Sequence, residues 1–373
     1  MQNKFPNSKQ KIEIPEKMML EISEKLSGEG QLDFALALER SIQKKFRLFQ
    51  SGIERYQQSS YHRVVCETPV VWSQGTASLR DYSIEGNGYP VFVIPSLVNR
   101  YYILDLGEEN SFLRWLGHEG WRPFVMDWGA PGEAEKDFGL EDYICKYLKP
   151  ALKLVKEKTG QPPIVVGYCM GGTLSVALAR LCEKDIRSLV LMASPWDFHE
   201  GQDRKQGAWL SSLLPLIEAQ GEMPHELLQT LFASLDLTLS LRKFTAFTRL
   251  KEDSAEAKNF VALEDWLNDG VALTANVAKE CFAGWYGENS PGQNKWVVGG
   301  EVINPKDLDL PALSVISSRD RIVPSKSSNS LAKKLSNGAI FETPLGHIGM
   351  IASRGAQSKI WIPVSDWMKQ IVT

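Results

Sequence analysis

Cysteine is scarce in this chain. Its five residues among 373, Cys66, Cys145, Cys169, Cys182 and Cys281, are odd in number and nowhere form a C-x-x-C pair. That pattern excludes a disulfide framework and a cysteine-built zinc site, so no metal is expected. No apolar run approaches the roughly 18 residues a spanning helix needs. The longest lies around Pro90 to Val98, and the opening MQNKFPNSKQK has no apolar leader core. A soluble, cytoplasmic location is therefore the expectation. An excess of either charge is missing too: 42 Lys and Arg face 45 Asp and Glu, for a net charge of −3. Such a chain offers no electrostatic footprint for nucleic acid. What is present is ordinary globular material, 43% hydrophobic and 23% charged, enough for a large core.

Residues 1–65 read as an N-terminal helical segment. Phe34, Leu38, Ile42, Phe46 and Phe49 recur at i+4 or i+3 along one face, and Arg40, Lys44, Lys45 and Arg47 stand elsewhere. That face can dock on the chain's own core or on a partner or apolar surface, and sequence leaves both open. From Thr68 the period changes. Short β-like runs at 69–72 and 78–84 precede buried-type strands at 89–94, 121–128, 164–167, 187–192 and 312–316. Helical stretches lie between them, one carrying Tyr143, Ile144, Tyr147, Leu148, Ala151 and Leu152 on one face with a kink expected at Pro150. Strands alternating with helices predict an α/β chain, a mostly parallel central sheet covered by helices on both faces. The alternation fails after Phe198 for about a hundred residues, a length best explained by a helical cap insertion. The division expected is thus a core from 66–198 and 303–373 with a cap at 199–302.

The chemistry centres on Gly167-Tyr168-Cys169-Met170-Gly171-Gly172, directly after the 164–167 strand and before a helical run, Thr173 to Leu181. Strand, sharp turn and helix make a nucleophile elbow, here with Cys in the nucleophile's place. The flanking glycines let strand and helix close around a strained residue, and a helix N-terminus favours the thiolate. A nucleophilic thiol needs a base and an orienting acid. In the order nucleophile, acid, base, the histidine comes last, and His347 in Leu345-Gly346-His347-Ile348-Gly349 follows the final strand. His62 and His118 precede the nucleophile, while His199 and His225 fall at or inside the insertion. Asp320 ends the strand before the histidine-bearing one and is the expected acid; Asp197, one strand earlier, is the alternative and reads as structural. Oxyanion donors are expected at the backbone N–H of Met170, after the nucleophile, and of Leu97 in the loop 95–99.

Five ordered segments together resemble the polyhydroxyalkanoate synthases, members of the α/β-hydrolase superfamily. They are residues 94–106 with Pro95, Asn99 and Tyr102-Ile103-Leu104-Asp105-Leu106; Asp127-Trp128-Gly129 with Glu141-Asp142-Tyr143-Ile144; the cysteine box 167–173; Asp320 through Pro324; and Gly346-His347-Ile348-Gly349. The similarity covers residues 65 to 373. It implies an α/β-hydrolase fold, a Cys169, His347 and Asp320 triad, and an acyltransferase that polymerises 3-hydroxyacyl-CoA into polyester and releases CoA. No separate cofactor is implied, because coenzyme A arrives as part of the thioester substrate. The chain's size is similar to that of the family's short catalytic subunits, which implies a second synthase subunit or a homodimer and a place at the polyester granule surface. It departs from the pattern at Arg321, where the family usually has histidine. The residues alone also admit a cysteine-dependent polyester depolymerase or thioesterase, with water as acceptor, or a granule-binding scaffold without turnover.

Overall fold

The computed structural model describes residues 30–65, 67–201 and 205–373. Cys66 and residues 1–29 of the expected N-terminal segment lie outside the described residues. The chain divides into two compact units, one made of the described residues up to Ser59 with Thr238–Glu252, the other of Ser60–Leu237 and Asp253–Thr373.

In the smaller unit, the amphipathic run forms one long helix, α1 (Gly30–Gln57). Its C-terminal half packs on a short helix, Leu239–Phe247. The Phe244 ring meets Phe49 and Tyr56 edge-on at 6.0 Å each. Arg55 fixes the register by donating at 2.8 Å to the carbonyls of Phe247, the last residue of that helix, and of Leu250 just beyond it. Of the stripe, only Phe49 is covered in this way. Phe34, Leu38, Ile42 and Phe46 stay about half exposed.

The larger unit is built on an eight-stranded sheet. Its strands are β1 (Val70–Gln74), β2 (Ala77–Asp81), β3 (Tyr89–Ile94), β4 (Trp121–Asp127), β5 (Ile164–Tyr168), β6 (Ser188–Met192), β7 (Ala312–Ser317) and β8 (Gly338–Thr343), in the order β1-β2-β4-β3-β5-β6-β7-β8. The hairpin β1–β2 enters antiparallel, β2 pairs antiparallel with β4, and every pairing from β4 to β8 is parallel. Strands β3, β5, β6 and β7 are buried almost throughout, which is why they read as unbroken apolar runs rather than alternating ones. Two cores flank the sheet. One holds Phe92, Ile94, Leu174, Leu178 and Trp196; the other holds Val91, Val93, Val166, Trp361, Val364 and Met368, the last three from the amphipathic C-terminal segment.

Two details differ from the sequence reading. The kink expected at Pro150 is absorbed by a change of helix type: residues Tyr143–Leu148 run as a π-helix and continue as an α-helix at Lys149–Thr159, with Pro150 in its first turn. Proline offers no N–H there and crowds the preceding turn, and a wider turn relieves both. The long stretch between β6 and β7 is helical, but it also contains two pairs of two-residue strands, Glu222–Met223 with Leu273–Thr274 and Val297–Val298 with Glu301–Val302. Two residues are too few to register as a strand period.

Candidate active site

Strand β5 delivers its chain to Cys169 in a conformation that L-residues avoid, φ +55° and ψ −128°. Such a backbone costs on the order of 1–3 kcal/mol and persists only when its surroundings dictate it. Here the dictation is close packing. The helix that follows, α2 (Met170–Cys182), begins one residue later. A Cβ on Gly171 would lie 2.1 Å from the Ile94 carbonyl oxygen, and one on Gly172 would lie 1.7 Å from Ser194 Oγ. Only glycine lets the helix start this near to the ends of β3 and β6. The Cys169 N–H donates to the Met192 carbonyl at 2.8 Å, so the turn is tied to β6 as well.

His347 and Asp320 meet on loops that follow β8 and β7. Nδ1 of His347 lies 2.6 Å from Asp320 Oδ2. The other carboxylate oxygen, Oδ1, accepts the backbone N–H groups of Ile322 at 2.8 Å and Val323 at 2.9 Å, which fixes the plane of the carboxylate. Both side chains are buried, His347 at 8% exposure and Asp320 at 1%. With Nδ1 taken by Asp320, the remaining face of the ring lies within hydrogen-bonding reach of Cys169. Burial disfavours the charged imidazole, but the Cys169 thiolate and the hydrogen bonds to Asp320 and Cys169 outweigh it and hold the His347 pKa up at about 10. The arrangement places a basic imidazole, braced by a buried carboxylate, against the Cys169 sulfur.

The loop 95–99 runs past the start of α2, since the Pro95 carbonyl carbon and oxygen also crowd the Gly171 position, at 2.7 Å and 2.6 Å. This brings Leu97 and Met170, the two expected oxyanion donors, onto adjoining segments. The Asp127-Trp128-Gly129 block buttresses the loop: Trp128 Nε1 donates to the Pro95 carbonyl at 3.2 Å, and the Asp127 carboxylate accepts Arg80 at 3.0 Å and the Gly129 N–H at 3.2 Å. Beside it lies a cavity whose walls include Leu97, Trp128, Tyr143, Leu273 and Val277.

The remaining candidates stand apart. Asp197 accepts the His199 N–H at 3.0 Å and Asn289 Nδ2 at 2.9 Å. His199 itself contacts the carbonyls of Tyr286 and Gly287, and His225 that of Leu267. His62 and His118 are exposed. Arg321 forms an ion pair with Asp236 of the β6–β7 insertion. That insertion also grips the 95–102 segment: Gln229 donates to Asn99 at 3.1 Å, Tyr102 to Asp269 at 2.8 Å, and Trp266 Nε1 to the Arg100 carbonyl at 2.8 Å. Sequence reasoning missed these contacts because each joins residues far apart in the chain. One local signal existed, Asn99, whose left-handed φ of +67° suits asparagine.

Comparison with known proteins places these features. A family model described as alpha/beta hydrolase fold matches residues 89–351. The poly(3-hydroxyalkanoate) polymerase subunit PhaC of Haloferax mediterranei is 30% identical over 289 residues, 75% of this chain and 58% of that one. The subunit of the same name from Haloarcula marismortui is 27% identical over 82% of this chain and 68% of its own length. That from Allochromatium vinosum is 29% identical over 77% and 82%. Among solved structures, BpoC of Mycobacterium tuberculosis superposes with a TM-score of 0.54 at 14% identity, covering 84% of this chain and 99% of that one. The monoacylglycerol lipase of Paleococcus ferrophilus gives a TM-score of 0.52 at 14% identity, covering 79% and 99%. These two likenesses concern the fold alone. Among the described residues, no helix is long and apolar enough to cross a membrane.

Proposed function

The chain belongs to the alpha/beta hydrolase fold family, and from that premise we propose that it is a polyhydroxyalkanoate synthase, an acyltransferase that polymerises 3-hydroxyacyl-CoA through a thioester on Cys169. The observation that carries this reading is the cysteine held at φ +55° beside a buried imidazole–carboxylate pair. Supporting it are relatives called polymerase subunits that match three quarters or more of the chain.

In this reading His347 takes the proton of the Cys169 thiol, and the thiolate attacks the thioester carbonyl of the substrate. The N–H groups of Met170 and Leu97 receive the oxyanion. Collapse expels the thiolate of coenzyme A, which recovers the proton from His347, and the acyl group remains on sulfur. His347, oriented by Asp320, then removes the proton from the 3-hydroxyl of an incoming 3-hydroxyacyl-CoA. That alkoxide attacks the acyl-cysteine, forming an ester and returning the cysteine thiolate. The extended acyl-CoA can acylate Cys169 again, so each cycle adds one unit and frees one CoA. Thioester exchange between two thiols is nearly balanced in energy, and transfer to a hydroxyl succeeds when water is kept out. Water is excluded in this reading by the cap insertion, whose residues Gln229, Trp266 and Asp269 hold the 95–102 segment. No metal or separate cofactor enters the scheme. A second subunit or a second copy of the chain, and a place at the surface of the insoluble product, complete the proposal.

The test is incubation with 3-hydroxybutyryl-CoA, following CoA release and product mass in the wild type and in Cys169→Ala. Polyester formation that disappears in the variant is the expected result. Release of free 3-hydroxybutyrate without polymer would make the protein a hydrolase, and full turnover by Cys169→Ala would remove the covalent step altogether.

A further inference from the structure

Tyr168, the residue before the cysteine, donates its phenolic O–H to the backbone carbonyl of His347 at 3.1 Å. Its ring lies 5.3 Å from the imidazole, tilted by 34°. The residue is 4% exposed, and burial holds the phenol well above its ordinary pKa, so it remains a donor wherever the protein is folded. A second hydroxyl acts on the same loop two residues earlier: Ser317, the last residue of β7, donates to the Leu345 carbonyl at 2.5 Å. The loop that carries the imidazole is thus held at two carbonyls by hydroxyls from two separate strands. One of those strands, β5, leads straight into Cys169.

We propose that Tyr168 is a positioning residue that sets the distance between the Cys169 sulfur and the His347 ring, with Ser317 as its companion anchor. This rests on the triad reading above. The physical case is one of leverage. The imidazole reaches the sulfur from a loop, and loops shift more readily than the sheet they leave. A bond from the residue adjoining the nucleophile to the backbone of the base makes the two move together. A purely space-filling tyrosine would need only its ring, whereas this one points its hydroxyl at the histidine's own carbonyl.

The experiment is a pH titration of the thiolate ultraviolet absorbance in the intact protein, together with kcat/KM for CoA release. It compares wild type, Cys169→Ala, Tyr168→Phe and Ser317→Ala. The band lost in Cys169→Ala identifies the paired thiolate. Tyr168→Phe keeps the ring and loses the bond. Its thiolate midpoint is expected to move up by about one pH unit, with about a tenfold fall in kcat/KM at neutral pH, while near-ultraviolet circular dichroism stays native. A titration that coincides with wild type and a kcat/KM within about twofold overturns the proposal. Should Tyr168→Phe fail to fold, Ser317→Ala reads the same clamp from the other strand, and the same upward displacement is required of it. A wild type whose CoA release is unchanged in Cys169→Ala would instead refute the triad on which the proposal stands.

Discussion

Replacing Asp320 by Asn is a change whose outcome the hydrogen bonds dictate. Oδ1 accepts two backbone N–H groups, from Ile322 at 2.8 Å and Val323 at 2.9 Å, and Oδ2 faces His347 Nδ1 at 2.6 Å. An asparagine must keep its carbonyl oxygen toward the two amides, since the opposite flip would set donors against donors. Its NH2 group is therefore turned to Nδ1, which has to become an acceptor, and the ring proton moves to the nitrogen that faces Cys169. An imidazole in that tautomer cannot take the thiol proton, and the carboxylate that would stabilise the imidazolium is gone. A carboxylate buried to 1% exposure gives water no room to substitute for it. The corresponding change in a serine triad costs about 10⁴ in kcat. For Asp320→Asn the expected loss is about 10³–10⁴ in CoA release, or about 4–5 kcal/mol of barrier, with the fold intact. The assay is the initial rate of CoA release, paired with ¹⁵N chemical shifts of His347 to assign the tautomer. Activity within about tenfold of wild type would show that Asp320 does not orient the base.

Two further outcomes follow from the geometry. Gly171→Ala ordinarily gains helix propensity of up to about 1 kcal/mol, but here the methyl group would meet the Ile94 and Pro95 carbonyl oxygens at 2.1 Å and 2.6 Å; the expected net effect is destabilisation by about 1–3 kcal/mol and reduced turnover, and a stabilised, fully active variant in thermal unfolding and CoA-release assays would contradict the close-packing account. The pH dependence of stability has a definite sign: His347 rises from an ordinary 6.5 to about 10, so its contribution is complete below pH 6.5 and is lost as pH rises through about 10; melting curves across that window should decline more steeply in wild type than in Cys169→Ala, which removes the largest influence raising the imidazole, and parallel declines would sink the assignment.

Much of the scaffold is legible in the residues because burial on both faces writes a plain signal. The strands of the parallel block are short apolar runs separated by helical periods, and the glycines around Cys169 mark a turn that only close approach requires. The contact between Asp320 and His347 follows from chain order, since consecutive parallel strands end side by side. Other features leave no such trace. A π-helical turn at Tyr143–Leu148 or Glu280–Gly287 has the same apolar spacing as an α-helix within the scatter of one turn. The amphipathic stripe of α1 predicts a covered face, but not that a nine-residue helix covers only Phe49 at its C-terminal end. Tyr168 and Ser317 act through backbone carbonyls, which every residue possesses, so no pairing of residue types betrays them.

The insertion shows how distant segments combine at this site. Gln229 holds Asn99, Trp266 and Asp269 hold the residues just after it, and Asp236 holds Arg321 next to the acid. The loop expected to supply an oxyanion donor and the loop that carries Asp320 are therefore both tied to the same stretch of chain. A hydrolase profits from free access of water to its acyl-enzyme, whereas a polymerase loses its chain each time water arrives. In the proposed reaction, an insertion bound to both loops keeps water from the acyl-cysteine, as polymerisation requires. Arg321, next to the acid, pairs with Asp236 and so joins the acid's loop to the insertion.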